Sequence, residues 1–217
     1  MRYYSLGSGS KGNATVVEQG STRLLIDCGF SLRATERRLA AAGLHPAQLS
    51  AILVTHEHSD HVQGVEKLAR RYDLPVFMTH GTALALDWAE GAYEKLALDR
   101  SVVIGDLGVE PVAVPHDARE PCQFVIDSGQ QRFGLLTDTG MITPWMVERY
   151  QRLDGLFLEA NYDPQMLAEG PYPPGLKARV GGQHGHLSNQ QAADLLSQLQ
   201  LDRLQHLAVA HISEKNN

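Results

Sequence analysis

The apolar residues in the first half of the chain form either short continuous runs or wider, helix-like patterns. Short runs are typical of strands, whereas apolar residues three or four apart are typical of one helix face. The wider spacing predicts helices over residues 32–42, capped by Ser31, over 62–72 and over 82–88. The short runs predict strands over residues 3–6, 14–18, 22–27, 51–54 and 76–79.

The second half repeats this mixture. Helices are predicted over residues 143–152 and 188–199, and residues 163–182, which are rich in Pro and Gly, are predicted to be irregular. Strands are predicted over residues 102–104, 109–114, 123–127, 132–136, 155–159 and 204–210. The repetition fits an α/β fold, a sandwich of two sheets with outer helices. We expect one domain over residues 1–217 and, since the chain stops just past a strand, a short C-terminal tail beyond it.

The composition is that of an ordinary globular protein. No apolar run approaches the roughly 20 residues that span a bilayer, and the N-terminus lacks the apolar core of a signal peptide. The two cysteines, Cys28 and Cys122, lie among apolar strand residues. Buried free thiols in a reducing cytosol are therefore expected rather than a disulfide framework. These features predict a cytoplasmic protein without a membrane partner.

A polar segment with the sequence His-Glu-His-Ser-Asp-His occupies residues 56–61, between a predicted strand and a predicted helix. His56 and His58 are two apart, so in extended backbone they project to the same side. Asp60 and His61 offer a second set of donors. One metal ion cannot easily take all four ligands from so short a loop, but two adjacent ions can share them. An incidental polar loop is the alternative, but α/β proteins usually place chemistry at such strand ends.

Three further metal-binding side chains follow predicted strands. His116, Asp138 and His211 each lie just past a strand end, and rigid strands can deliver ligands to one point. Each alone would pass for a turn residue, but together with the first segment they supply a two-metal site. Imidazole and carboxylate ligands suit zinc, with manganese or iron as alternatives. Surface positions are expected for His45, His80 and His206, whereas His184 is left open.

The His-x-His-x-Asp-His pattern resembles the signature of the metallo-β-lactamase superfamily of binuclear metallohydrolases. The resemblance implies the αββα metallo-β-lactamase fold and two divalent metal ions, with a bridging hydroxide as the nucleophile. It also implies that Asp60 is catalytic, because this residue would orient the hydroxide. In the implied ligand assignment, the first metal is bound by His56, His58 and His116, the second by Asp60, His61 and His211, and Asp138 bridges the two.

Another segment favours phosphodiesterases within this superfamily. Residues 185–188, Gly-His-Leu-Ser, resemble a helix start in the tRNA 3′-processing endonucleases (tRNase Z), where a histidine and a strand-end acidic residue help the leaving oxygen depart. Phosphodiester cleavage expels an alkoxide, so a proton donor has a clear purpose. We expect His186 to be this donor, supported by Glu159. A histidine that only caps the helix is the alternative.

Almost the whole chain resembles the YycJ/WalJ (VicX) family. The likeness covers the Gly/Ser loop at residues 8–13, the segments 25–29, 116–118 and 159–161, and the closing residues 211–217. It implies a small cytoplasmic protein with exonuclease-like action on DNA. The inserted basic arm with which tRNase Z holds its substrate has no counterpart in this chain.

The charge of the chain restricts how it could hold nucleic acid. A net charge of −6 and a pI near 5.9 argue against binding by bulk electrostatics, but two divalent ions would add four positive charges where the substrate arrives. Lys11 and the N–H groups of the Gly/Ser loop would hold a phosphate, unless the loop is an ordinary tight turn. Surface charge is the simpler interpretation of Arg119, Lys177 and Arg179. The predicted substrate-binding residues are Ser10, Lys11, Asn13 and Asn161.

Three functions remain in competition. The leading hypothesis is a nuclease that acts on DNA more readily than on RNA. The second is a small-molecule hydrolase acting on a cyclic phosphodiester, a thioester or a lactone, which the acidic charge favours. The third is a metal-bound scaffold, which would have no need of a water-activating site. The oligomeric state is left open, with a homodimer as one option.

Overall fold

The computed structural model describes residues 1–217, which form twelve strands and eight α-helices. The strands are β1 (Arg2–Gly7), β2 (Ala14–Gln19), β3 (Thr22–Ile26), β4 (Ala51–Leu53), β5 (Val76–Thr79), β6 (Glu94–Leu96), β7 (Val102–Ile104), β8 (Leu107–Ala113), β9 (Cys122–Asp127), β10 (Arg132–Leu136), β11 (Gly155–Glu159) and β12 (His206–Ala210). The helices are α1 (Leu32–Ala41), α2 (Ser59–Val62), α3 (Val65–Tyr72), α4 (His80–Ala85), α5 (Pro144–Arg149), α6 (Pro164–Glu169), α7 (Pro174–Val180) and α8 (Asn189–Gln198).

The strands form two six-stranded sheets, with the orders β1-β2-β3-β4-β5-β6 and β12-β11-β10-β9-β8-β7. In the first sheet β1, β2 and β3 are antiparallel neighbours, and β3 to β6 are parallel. In the second sheet β10, β11 and β12 are parallel, and β9 is antiparallel to β10. Both sheets are therefore mixed and carry helices, which confirms the predicted α/β class.

The chain divides into two compact units. Unit 1 comprises Met1–Pro111 and Ala118–Cys122, and unit 2 comprises Val112–Asp117 and Gln123–Asn217. In unit 1, Leu39 of α1 and Leu68 of α3 pack with sheet residues in one buried apolar cluster. The strands β2, β3 and β4 are buried along almost their whole length, and the apolar runs within them belong to this core.

Unit 2 has its own apolar core on the sheet formed by its strands. Met146 of α5, Leu195 of α8 and the following Leu199 pack there with strand residues such as Leu136 and Leu156. The hydroxyl group of Tyr150 is buried in this core and donates a hydrogen bond to the backbone oxygen of Leu135 at 2.7 Å. The core thus holds α5 and α8 against the strands whose ends carry the predicted functional residues.

The predicted helix over residues 62–72 is interrupted. α2 ends at Val62 and α3 begins at Val65, because the backbone N–H of Gly64 donates to the oxygen of Cys28 at 2.8 Å. This tertiary contact competes with the helical hydrogen bonds, and no spacing of apolar residues reveals it. The break separates α2, which carries the predicted ligands Asp60 and His61, from the longer helix α3.

The prediction that residues 163–182 are irregular is wrong. Two short helices, α6 and α7, lie in this stretch, and each begins with a proline at its first position. Proline fits there because the first N–H of a helix has no partner within the helix. Asp163 caps α6 by accepting a hydrogen bond from the N–H of Met166 at 2.9 Å. The prolines of this stretch therefore mark the starts of helices and not a loop.

The two cysteines are free and buried, as predicted. Burial raises the pKa of the Cys28 thiol to about 11, so this group stays protonated. None of the helices combines the length and the apolar character needed to cross a bilayer.

Tyr150→Phe should lower the free energy of unfolding by about 1–2 kcal/mol, because it removes the partner of a buried backbone oxygen. Tyr93→Phe is the matched control, since the Tyr93 hydroxyl group makes an exposed hydrogen bond to His80. Its unfolding free energy should stay within about 0.5 kcal/mol of the wild type. Urea unfolding followed by circular dichroism measures both changes. Equal effects of the two substitutions would contradict the burial argument.

Candidate metal-binding and acid–base site

The predicted ligands of residues 56–61 converge at the end of β4 in unit 1. His56 and His61 are buried, and the centres of their rings are 4.1 Å apart. The Nε2 atom of His56 lies 3.0 Å from Nδ1 of His58, and Nε2 of His61 lies 3.6 Å from a carboxylate oxygen of Asp60. Ring nitrogens and a carboxylate oxygen so close together are the donor groups of a cation site.

Asp27 holds two of these histidines in place. Its carboxylate lies 2.7 Å from Nδ1 of His61 and accepts hydrogen bonds from the Thr55 hydroxyl and backbone N–H groups at 2.8 and 2.9 Å. The same hydroxyl oxygen lies 2.9 Å from Nδ1 of His56. With the Nδ1 atoms engaged in this way, the Nε2 atoms of His56 and His61 are the ones that would bind a metal ion.

Sequence reasoning did not assign a role to Asp27. It follows β3 as Asp138 follows β10, so the strand-end signal was present, but no neighbouring histidine drew attention to it. Its backbone adopts a φ of 60°, which is uncommon for a residue other than glycine. Burial raises the pKa of its carboxyl group, and the neighbouring His61 opposes that rise. A buried acid in a strained backbone conformation is typical of a functional position.

The Gly/Ser loop is joined to the same ligands through Asn13. The Asn13 side-chain N–H group lies 2.9 Å from Nε2 of His61 and 3.3 Å from an Asp60 carboxylate oxygen. Its backbone N–H donates to the Asp60 oxygen at 2.8 Å, and its backbone oxygen accepts from Gly29. A Cβ atom on Gly29 would lie 1.6 Å from the Asp60 oxygen, so only glycine allows this close approach. Asn13 is therefore buried at the ligands, whereas Ser10 and Lys11 are exposed on the loop.

Unit 2 gathers its predicted functional residues at one end of three parallel strands. Asp138 follows β10, Glu159 is the last residue of β11, and His211 follows β12. The strands are in register, with Leu136 opposite Leu158 and Glu159 opposite Ala210, so their carboxyl ends coincide. Asp138 and His211 have φ angles of 51° and 49°, which turn the chain sharply at this edge. Candidate ligand atoms of four residues lie within 4.8 Å of one another, namely those of Asp138, Glu159, His186 and His211.

Glu159 is the centre of this cluster and is fully buried. One of its carboxylate oxygens lies 2.8 Å from Nδ1 of His186 and 2.9 Å from Nδ1 of His211. The other accepts backbone hydrogen bonds from Thr139 and Leu187 at 3.2 and 3.1 Å. Burial raises the pKa of Glu159, but the attraction of His186 and the hydrogen bonds outweigh this and lower it. Burial likewise disfavours the charged form of His186, yet the attraction of Glu159 raises its pKa to about 9.

Two other predicted residues of unit 2 are held by backbone groups. Nδ1 of His116 lies 3.0 Å from the backbone oxygen of Gly185, which fixes the ring and directs Nε2 away from that contact. Asn161 donates its side-chain N–H to the backbone oxygen of His211 at 2.7 Å. Asn161 is predicted to bind substrate, but this bond favours a role in positioning His211. His45, His80, His184 and His206 are all exposed.

The fold and the amino-acid sequence resemble those of known proteins. Residues 22–212 match the family model described as a beta-lactamase superfamily domain. Exodeoxyribonuclease YycJ of Bacillus anthracis is 35% identical over 225 residues, covering 100% of this chain and 84% of the relative. Exodeoxyribonuclease WalJ of Streptococcus pneumoniae serotype 2 is 34% identical over 223 residues, covering 100% of this chain and 83% of the relative. The short form of human tRNase Z has the same fold, with a TM-score of 0.73 and 19% identity over 98% of this chain and 92% of that one.

These matches show that the chain has the metallo-β-lactamase fold, as the resemblance implied. The chain belongs to the β-lactamase superfamily and, within it, to the family of the YycJ and WalJ proteins. A fold of this superfamily implies divalent metal ions, and the chain has groups of histidine and carboxylate side chains that could hold them.

Asp27→Asn should weaken zinc binding by about 10–100-fold, because the neutral amide cannot orient His61 as the carboxylate does. Competition with a chromophoric zinc chelator measures the affinity. Asp106→Asn is the matched control, since the Asp106 carboxylate accepts hydrogen bonds from the backbone and hydroxyl groups of Ser21 and Thr22 but contacts no predicted ligand. If both variants bound zinc as tightly as the wild type, the orienting role of Asp27 would be excluded.

Proposed function

We propose that this chain is a metal-dependent phosphodiesterase that shortens DNA from an end, as an exonuclease does. The observation that carries the proposal is the contact of the buried Glu159 with both His186 and His211. It sets a protonated imidazole beside a predicted metal ligand, which is what expulsion of an alkoxide requires. The names of the two full-length relatives, both exodeoxyribonucleases, support DNA as the substrate. We further propose that the reaction takes place in the cytoplasm.

The residues of the chain fit a pair of divalent ions, with zinc as the preferred metal and manganese or iron as alternatives. When bound, the ions would lower the pKa of a water molecule and stabilise negative charge on the attacked phosphoryl group. The donor atoms in each unit are imidazole nitrogens and carboxylate oxygens, and neighbouring groups approach within 3.0 to 3.6 Å. The proposed ligands follow the family resemblance and are His56, His58 and His116 for one ion, Asp60, His61 and His211 for the other, and Asp138 as the bridge.

The side chains of unit 1 prepare the nucleophile. The carboxylate of Asp60 is half-buried, and it would accept a hydrogen bond from the attacking water. The N–H group of Asn13 lies 3.3 Å from that carboxylate and limits its rotation. Asp27 and Thr55 keep the histidine rings behind it from turning. These contacts are in place before substrate binds, so little reorganisation is needed at the moment of reaction.

The side chains of unit 2 would protonate the leaving group. Nδ1 of His186 faces Glu159, so Nε2 is the atom that would give its proton to the departing oxygen. Against the effect of burial, the carboxylate of Glu159 raises the pKa of His186 to about 9, which favours the protonated imidazole that a proton donor needs. About a fifth of the His186 side chain is exposed, at 21%, so a substrate can reach it. Glu159 itself is fully buried and serves to hold the ring and stabilise its charge.

A small-molecule hydrolase of the same fold is the second candidate. The net charge of −6 favours it, because a protein that binds long nucleic acids usually carries a basic surface. Cyclic phosphodiesters, thioesters and lactones would be its substrates. A proton-donating histidine favours the phosphodiesters and lactones, whose leaving group is an alkoxide, over the thioesters, because a thiolate leaves more easily without a proton.

Protein loaded with zinc or with manganese should shorten end-labelled duplex DNA, and Asp138→Ala should abolish the shortening. The reason is that the loss of a bridging carboxylate disables both proposed metal positions. Gel electrophoresis of DNA with 5′-phosphate or 5′-hydroxyl ends, with single-stranded DNA and RNA in parallel, gives the polarity and preference. Hydrolysis of a small phosphodiester or thioester without any cleavage of nucleic acid would move the function to the second candidate.

His186→Ala should lower kcat on DNA by about 10²–10⁴-fold, because the alkoxide would leave without a proton. The same variant should hydrolyse bis(p-nitrophenyl) phosphate almost as fast as the wild type, since p-nitrophenolate leaves well unprotonated. Metal content, measured by mass spectrometry, should not change.

The control for this substitution is His184→Ala, which removes an exposed imidazole two residues away. Its rates on both substrates should equal those of the wild type. An equal loss of rate by His186→Ala on DNA and on the activated ester would show that His186 does not act as a proton donor.

A further inference from the structure

Arg179 of α7 lies beside the candidate chemical groups of unit 2. Its Nε atom is 2.5 Å from a carboxylate oxygen of Asp117, and the other oxygen of that carboxylate is 3.5 Å from Nε2 of His116. Although it is held by Asp117, the Arg179 side chain is 60% exposed. A guanidinium group is thus fixed near a predicted metal ligand and is accessible from solvent.

The backbone fixes Arg179 next to His186 as well. The N–H of His186 donates to the oxygen of Val180 at 2.9 Å, and the N–H of Asp117 donates to the oxygen of His184 at 3.0 Å. A Cβ atom on Gly185 would lie 2.2 Å from the backbone oxygens of both Arg179 and Val180, so the loop rests directly on the end of α7. The position of Arg179 relative to His116 and His186 is therefore set by tight backbone packing and not by a flexible surface loop.

Three other cations of unit 2 make contacts elsewhere. The ammonium group of Lys177 donates to the backbone oxygen of Ala168 at 2.6 Å. Arg149 stacks on Trp145 at 3.8 Å. Arg203 pairs with Asp154, one residue before β11 begins, at the opposite end of the strands from Glu159. Arg179 differs from these in its place beside His116 and His186.

We propose that Arg179 is a substrate-binding residue that holds a phosphate group adjacent to the one being cleaved, with Asp117 as the residue that positions its guanidinium plane. The inference rests on the proposed phosphodiesterase function and names the residue that binds a second phosphate group of the substrate. An arginine fits because its planar group can offer two parallel N–H donors to phosphate oxygens. A chain with a net charge of −6 also needs its positive groups at the site itself.

The test compares two probes that contain no phosphodiester bond and are therefore not consumed. Deoxyadenosine 5′-monophosphate offers one phosphate, and deoxyadenosine 3′,5′-bisphosphate offers a second one for Arg179. Titration calorimetry with the zinc-loaded protein should show the bisphosphate binding about tenfold more tightly or better, as expected for a charge-assisted hydrogen bond. Arg179→Gln should remove this preference and leave the affinity for the monophosphate unchanged.

Matched variants separate this role from a general loss of charge or fold. Arg203→Gln removes an arginine from another arginine–aspartate pair of the same unit and should keep the tenfold preference. Arg179→Lys should keep part of it, because an ammonium group offers charge without the planar fork. Asp117→Asn should reduce it in part, since the guanidinium group would lose its fixed orientation. On DNA, Arg179→Gln should raise KM with kcat little changed, and it should lower the salt dependence of kcat/KM by about one phosphate contact.

The outcomes distinguish this inference from the proposed function. A preference for the bisphosphate that survives in Arg179→Gln would overturn the inference, whether or not the wild type cleaves DNA. Cleavage of DNA by a wild type without any bisphosphate preference would also overturn it and leave the nuclease function standing. A preference lost in Arg179→Gln, in a protein that does not cleave DNA, would support the phosphate-binding role and remove DNA as the substrate.

Discussion

The carboxylate of Glu159 is the group on which the chemistry of unit 2 depends. It is fully buried, and a charge in that environment is strongly unfavourable unless it is paired and hydrogen-bonded. Four donors meet this requirement, two from imidazole rings and two from backbone N–H groups. Because one carboxylate serves both rings, His186 and His211 cannot reorient independently. A proposed proton donor and a proposed metal ligand are thereby held in one geometry.

Unit 1 uses the same arrangement. Asp27 is also a buried carboxylate at the end of a strand, and it too orients a histidine while accepting hydrogen bonds from a neighbouring threonine. Asp27 and Asp138 share a left-handed backbone conformation, which costs on the order of 1–3 kcal/mol at such residues. The strands β3 and β10, which end just before these residues, can bear this cost because their hydrogen bonds fix the chain that leads into each turn. Rigid strands with strained ends are therefore the structural basis of both ligand clusters.

Much of this arrangement follows from local sequence. A short apolar run followed by His, Asp or Glu marks a strand end, and the register of parallel strands then brings such ends together, as it does for Asp138, Glu159 and His211. Contacts between distant segments are different. The interruption between α2 and α3 depends on Cys28, which is 36 positions before Gly64, and no local pattern encodes it. Asp27, the partner of His61, is likewise 34 positions away from it. Asp27 is a residue type that can bind metal, but no residue near it in the sequence indicates its role.

The acidic charge of the chain is compatible with a nucleic acid substrate if binding is confined to the site. Non-specific affinity for duplex DNA comes from the number of phosphates that a protein neutralises, so a chain of net charge −6 gains little along the length of a duplex. Metal ions and an arginine that is positioned by Asp117 would instead neutralise only the phosphates next to the cleaved bond. Such a protein has little tendency to remain bound to the interior of a duplex and can still hold an end. Weak affinity for the interior of a duplex, combined with strong local binding at the site, would suit the end-directed cleavage that we propose.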